Sequence, residues 1–196
     1  MYVNDNDNDN SFISINVATK AITVLDEENE LIYPSFTADG KIVCDAGWWG
    51  GVGIVNADGS NLTILKEKDD NVQYIHPLAI PAHNKIVYVE DNRIGSRSYS
   101  IRLMNTNGTG DAQLVSPGSA MFSSPSANAA GTKMAYYRRT GSNNRQGNII
   151  VGNFNGTAIS NTVNVFTYDA EGGICIWRPI FNRIDKEVYD ALPDMN

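Results

Sequence analysis

A strand-turn-strand unit recurs about every 45 residues along this chain, a period that indicates a propeller or a related array of short-stranded sheets. Four times a Lys precedes two mostly apolar residues and then an aromatic residue or Cys: Lys41-Ile42-Val43-Cys44, Lys85-Ile86-Val87-Tyr88, Lys133-Met134-Ala135-Tyr136 and Lys186-Glu187-Val188-Tyr189. A Pro stands shortly before each Lys, at Pro34, Pro77, Pro125 and Pro179. No helical pattern interrupts the units.

The second repeat serves as the template. It reads as an inner strand over 76–80, a turn at Ala82-His83-Asn84 and a second strand over 85–89. A polar loop over 91–98 leads to a third strand over 100–104, a tight turn at Asn107-Gly108 and a last strand over 112–115. Gly and Asn accept the positive φ that such hairpins require. The same turn chemistry falls at Asp39-Gly40 and Asp58-Gly59 in the first repeat, and at Gly131 and Asn155-Gly156 in the third. Both faces of a blade pack against neighbours, so the apolar alternation is imperfect. The expected fold is an all-β propeller of about four blades, each a four-stranded antiparallel sheet. It occupies a single domain, 1–196, with repeats over approximately 31–71, 72–116 and 117–168.

Tyr2 matches Tyr88, so the chain starts and stops at nearly the same point of the repeat, and the N-terminal blade reads as lacking its first two strands. Two closures fit. In the preferred one, strands within 174–191 pair with 11–25 to form a composite last blade, which removes exposed strand edges. In the other, a homodimer or further residues complete a larger ring.

Composition narrows the function classes. With 42% hydrophobic and 19% charged residues the chain reads as an ordinary soluble globule. No apolar run reaches the length of a membrane span. A net charge of −7 argues against broad nucleic-acid binding, which needs Lys and Arg to displace counterions. The first ten residues are rich in Asn and Asp, not a basic segment leading into an apolar one, and read as no secretory signal. Cys44 and Cys175 each fall in an expected strand and read as buried free thiols.

The run from Pro34 to Lys41, Pro-x-Phe-x-x-Asp-Gly-Lys, is followed by Ile54-Val55-Asn56-Ala57-Asp58-Gly59-Ser60-Asn61 and Leu65. It resembles the TolB-type, WD-like propeller repeat over nearly the whole chain, most closely in 31–66. The last repeat departs from it, with Asn182-Arg183-Ile184-Asp185 at the turn and Glu187 in the apolar strand. The resemblance implies a fold and no catalytic residues. Members of the family serve as periplasmic docking platforms, as positioning domains of serine peptidases and as carbohydrate-active lyases, usually with six or more blades. A periplasmic or extracellular setting is therefore what the resemblance implies.

Candidate sites fall in three places. In a propeller, the loops joining the second to the third strand share a face with the loops between blades. Acidic residues (Asp5, Asp7, Asp9, Glu27, Glu28, Glu30, Asp69, Asp70) gather on one sector of that face, and Arg93, Arg97, Arg138, Arg139 and Arg145 on another. Opposed charge sectors orient a protein partner and speed encounter, and solvated loops are the ordinary alternative. Trp48-Trp49, flanked by glycines in the shortest of these loops, offers stacking faces to a sugar or an anchor to a partner, against packing between blades. The residues before the repeat prolines, Tyr33, His76, Ser124 and Arg178, come to the mouth of the central channel.

The remaining signals are weaker. His76 and His83 are the two histidines, and single histidines do not make a metal site. The Asp/Asn alternation in 4–10 lacks the Gly and Glu of a calcium loop. Asn61, Asn107 and Asn155 head glycosylation-like triplets that coincide with the repeated turn. No Ser-His-Asp order, nucleophile elbow or phosphate loop occurs. The chain thus reads as a noncatalytic interaction or ligand-binding module with no cofactor. It would dock a protein partner, with carbohydrate as a further ligand class. The alternative is a propeller associated with a lyase or peptidase that positions a carbohydrate or peptide.

Overall fold

The structure, a computed structural model, describes residues 2–4, 11–16, 18–26, 30–47, 50–139 and 146–169. Every element but one 3-10 turn is a strand. The N-terminal sheet holds β1 (Tyr2–Asn4), β2 (Ser11–Ile15) and β3 (Ile22–Asp26). Three four-stranded sheets follow: β4 (Ile32–Phe36), β5 (Ile42–Ala46), β6 (Gly51–Val55) and β7 (Thr63–Lys66); then β8 (Val72–Ile80), β9 (Lys85–Asn92), β10 (Ser98–Asn105) and β11 (Ala112–Gly118); then β12 (Phe122–Ala127), β13 (Lys133–Arg139), β14 (Gln146–Phe154) and β15 (Ile159–Asp169). Each is an antiparallel meander in chain order, which is blade architecture. The repeated Lys stands at or just before the second strand of each four-stranded blade.

The N-terminal sheet corrects one expectation. β1 takes the second-strand place, with Val3 opposite Phe12 and Asn4 opposite Ser11. Among the described residues the sheet thus holds three strands, where two were expected, and its inner-strand place is not among them. The segment expected to close it, 174–191, lies outside the described residues, as does Cys175.

The β6–β7, β10–β11 and β14–β15 hairpins repeat one turn. The Asn107 Oδ1 accepts from the Thr109 amide at 3.1 Å and its hydroxyl at 2.7 Å. Asn155 does the same for Thr157, both at 3.0 Å. Asp58 does it for Ser60, at 3.0 and 2.6 Å. The slot wants a side-chain oxygen acceptor two residues before a hydroxyl, and Asp serves as well as Asn. The glycosylation-like triplets at Asn107 and Asn155 are thus explained by turn chemistry.

Each inner strand carries a bulge at its Pro. Ile32 pairs with Asp45 and Ser35 with Val43, so three steps on β4 match two on β5. The same shift lies between Ile75 and Leu78 on β8 and between Ser123 and Ser126 on β12. The residue before each Pro is left-handed: Tyr33 at φ 55°, His76 at 54°, Ser124 at 51°. Such a backbone costs a non-glycine residue on the order of 1 kcal/mol. The following Pro has no N–H to lose from the ladder, which suits it to a bulge.

The core lies in the seams between blades. Phe12 packs with Leu31, Ile42, Cys44 and Val55; Val43, Val52 and Ile54 with Ile86, Tyr88 and Met104; Val87, Val89 and Ile101 with Phe122, Met134 and Tyr136. Both faces of a central blade are covered, so β5 and β6 are buried at every position. Cys44 is a buried free thiol, as expected, and burial pushes its pKa up to about 12. Polar clamps cross the same seams. The Lys66 ammonium pairs with Asp111, which also accepts from Arg102 Nε at 3.0 Å and the Tyr88 hydroxyl at 2.7 Å.

One inter-blade bond makes a differential prediction. The Ser35 hydroxyl oxygen accepts from the Ala79 amide at 2.8 Å, tying β4 to β8. Ser126 stands at the equivalent place, after Pro125, and its buried hydroxyl has no partner among the described residues. Ser35→Ala is expected to cost about 1–2 kcal/mol because a buried amide is left unpaired. Ser126→Ala removes an already orphaned group and should be neutral or slightly stabilising. Urea unfolding of the two variants checks this, and equal losses would rule it out.

Candidate functional site

Three contacts show which loops share a face. The Tyr74 amide donates to the Gly50 carbonyl at 3.0 Å, that of Arg93 to Asn71 at 2.7 Å, and that of Arg139 to Met121 at 2.9 Å. The first joins the β5–β6 loop to the start of β8, the second the β9–β10 loop to the β7–β8 connection, and the third the end of β13 to the β11–β12 connection. These loops and connections therefore lie at one end of the blades.

Its arginines are less free than their sequence suggests. Arg93 and Arg97 converge on Asp91, whose side chain is 1% exposed. The Arg97 Nε donates to Asp91 Oδ1 at 2.8 Å and the Arg93 Nε to Oδ2 at 3.2 Å. Arg97 also lies over the Tyr99 ring, 5.1 Å from its centroid. A buried carboxylate needs such partners. Asp91 was not singled out from the sequence, and both arginines hold the β9–β10 loop in shape. Arg138 is exposed and Arg139 half-buried on β13. Arg145, Trp48 and Trp49 lie outside the described residues, as do Asp5, Asp7, Asp9, Glu27 and Glu28.

On the acidic sector a groove of about 410 Å³ opens beside the β5–β6 loop. Ala46, Leu62 and Ile64 give its lining apolar surface, and Glu30, Glu67 and Lys68 give it charge. Ile64 is 47% exposed. The Lys68 ammonium donates to the Gly47 carbonyl. The groove draws on three separate segments, so no local pattern announced it.

Beneath this loop sits Asp45, fully buried. Its Oδ1 accepts from the Gly50 amide at 3.1 Å and its Oδ2 from the His76 amide at 3.3 Å. Burial pushes its pKa up to about 7, against the lowering effect of the two amides and the Lys68 charge. Asp45 links the loop face to the inner strand of the next blade. Its one sequence signal is an acid inside the run Ile42-Val43-Cys44-Asp45-Ala46.

The pre-proline residues do come together. The Tyr33 and His76 rings meet edge to face at 5.1 Å, and the Ser124 amide lies 3.5 Å from His76 Nδ1. With Nδ1 facing a donor, the neutral imidazole carries its proton on Nε2. The three residues thus step from blade to blade across the inner strands. Arg178 lies outside the described residues.

His83 is elsewhere, on the turn at the far end of β8. Its Nε2 lies 2.9 Å from the Gly131 carbonyl, and its ring meets Phe154 at 5.3 Å, so it ties two blades together. Among the described residues no group of three His, Cys, Asp or Glu is placed to hold a metal ion. Among them, too, no helix is long and apolar enough to cross a membrane.

Antiparallel blades in chain order, with apolar seams and bulged inner strands, define a β-propeller. The likeness to solved structures shows the same fold, one that TolB shares. The chain is similar to an oligogalacturonate lyase in complex with manganese (TM-score 0.58, 16% identity, 85% of this chain and 44% of that one). It is similar to TolB from Acinetobacter baumannii (TM-score 0.55, 15% identity, 76% and 36%) and to regucalcin, a calcium-binding protein from Agrobacterium tumefaciens (TM-score 0.52, 14% identity, 78% and 50%). The chain thus spans half the length of these proteins or less. No family model and no curated protein matches it.

Proposed function

We propose that the chain is a noncatalytic interaction module that docks a protein partner on its loop face. The observation that carries this reading is the open groove beside the β5–β6 loop, lined by exposed Ile64 and by the carboxylates of Glu30 and Glu67. Recognition surfaces combine such apolar lining with a few placed polar groups. Arg138 and Arg139 give the opposite sector of the face its cations. The reading keeps one domain, 1–196, of about four blades, with 176–180 supplying the missing inner strand of the N-terminal sheet.

Reversing Arg138 and Arg139 to Glu is expected to weaken a purified partner at least tenfold, while Lys133→Glu at the other end of β13 leaves affinity unchanged. Surface plasmon resonance against a partner isolated on the wild-type chain gives the answer. Equal affinity for all three proteins would remove the loop face as the docking surface.

A second reading has its own observation, the convergence of Tyr33, His76 and Ser124 at left-handed bulges. Strained positions of this kind gather at ligand sites. In that reading the channel mouth positions a carbohydrate or peptide for an associated enzyme. Saturable binding of an oligogalacturonate or a short peptide, abolished by His76→Ala, would favour it over docking on the loops.

A further inference from the structure

We infer that the groove between Glu30 and Glu67 receives a lysine or arginine side chain of the protein partner, a reading that rests on docking at the loop face. The occupant follows from the lining. Ala46, Leu62 and Ile64 supply apolar lining that suits a methylene stem, the part of a long cationic side chain that packs on apolar surface while its charged head stays towards water. The head then meets carboxylates. Neither Glu30 nor Glu67 has a hydrogen-bond or ion-pair partner among the described residues. Among the described lining residues the one cation, Lys68, is already engaged by the Gly47 carbonyl and lies close enough to the buried Asp45 for its charge to act there. An incoming cation therefore finds two open acceptors and little competition.

Other occupants fit less well. An anionic group would face both carboxylates, and a wholly apolar side chain would cover them without supplying a partner. Asp69 and Asp70 follow Lys68 in sequence and set the same sign of field. The volume of about 410 Å³ accommodates one long side chain with the flanking backbone above it.

The test uses two peptides, Ac-Gly-Leu-Arg-Leu-Gly-NH2 and the same peptide with citrulline for arginine, which keeps the shape and removes the charge. In an NMR titration of the whole chain, the arginine peptide is expected to shift the Gly47, Gly51 and Ile64 amides saturably. The citrulline peptide should bind at least tenfold more weakly. Glu30→Gln and Glu67→Gln should each weaken the arginine peptide about three- to fivefold, the range for exposed ion pairs. Ile64→Lys, which supplies a cation from within, should abolish the shifts while the other amides keep their positions.

Equal binding of the two peptides, or an unaffected Glu30→Gln/Glu67→Gln double variant, overturns the assignment. No saturable shift with either peptide overturns it too. If partner capture still depends on Arg138 and Arg139 in that case, docking on the loop face stands and only the groove's occupant falls.

Discussion

Gly59→Ala is expected to cost about 3 kcal/mol, several times the loss from the same change at Gly40. The two glycines sit in Asp-Gly hairpin turns at nearly the same backbone angle, φ 86° and 82°. An alanine at either place pays for a left-handed conformation, on the order of 1 kcal/mol. At Gly40 nothing lies within 4 Å of the added methyl. At Gly59 the methyl would stand 2.2 Å from the Leu25 carbonyl oxygen and 2.9 Å from its carbon. Those atoms belong to the backbone of the neighbouring sheet and cannot rotate away. The first blade and the N-terminal sheet would have to part where Phe12, Leu25, Val55 and Leu62 pack. Urea unfolding of both variants decides it, and equal losses would show that the close approach does not bear on stability.

Asp45→Asn should remove a pH dependence of stability and leave the protein firmer than wild type at pH 8. The folded pKa of Asp45, about 7, stands above the ordinary carboxylate value of 3.8 because burial disfavours the charged form. The native state therefore holds a proton that the unfolded chain has already released. That contribution is fully present below about pH 4 and is lost as pH rises towards 7, after which it stays flat. A gap of about three pH units corresponds to roughly 4 kcal/mol as an upper bound.

Asn stays neutral throughout and keeps an oxygen for the Gly50 or His76 amide. Urea midpoints at pH 5, 6, 7 and 8 should converge for the two proteins at the acid end and diverge at the basic end. Parallel curves would mean that Asp45 is ionised in the native state across this range. Asp45→Ala leaves both amides without an acceptor and should be less stable than wild type even at pH 5.

The strand order, the antiparallel meanders and the turns are legible in the sequence. They rest on local features that recur: Lys85-Ile86-Val87-Tyr88 with its counterparts, the repeat prolines, and the Asn-Gly and Asp-Gly turns whose chemistry is complete within four residues. The meeting of Tyr33, His76 and Ser124 was legible for the same reason, because equivalent positions of successive blades must face one axis. The left-handed bulge that aims them was not. It depends on a one-residue mismatch between paired strands, and a single strand carries no record of its partner's register.

The rest of the site was hidden for a related reason. Asp39 and Asp45 lie six positions apart, yet one is exposed in a turn and the other is sealed between blades. Arg93 and Arg97 looked like free cations until Asp91 appeared between them. Glu30, Leu62 and Glu67 make one groove from three separate segments. The sequence by itself determined the blade, because each blade is built from contacts within one repeat. Only the tertiary structure decided what the seams do to individual residues, because burial, pKa and steric fit at Gly59, Asp45 and Ile64 are set by neighbours from other segments that blade packing alone brings within reach.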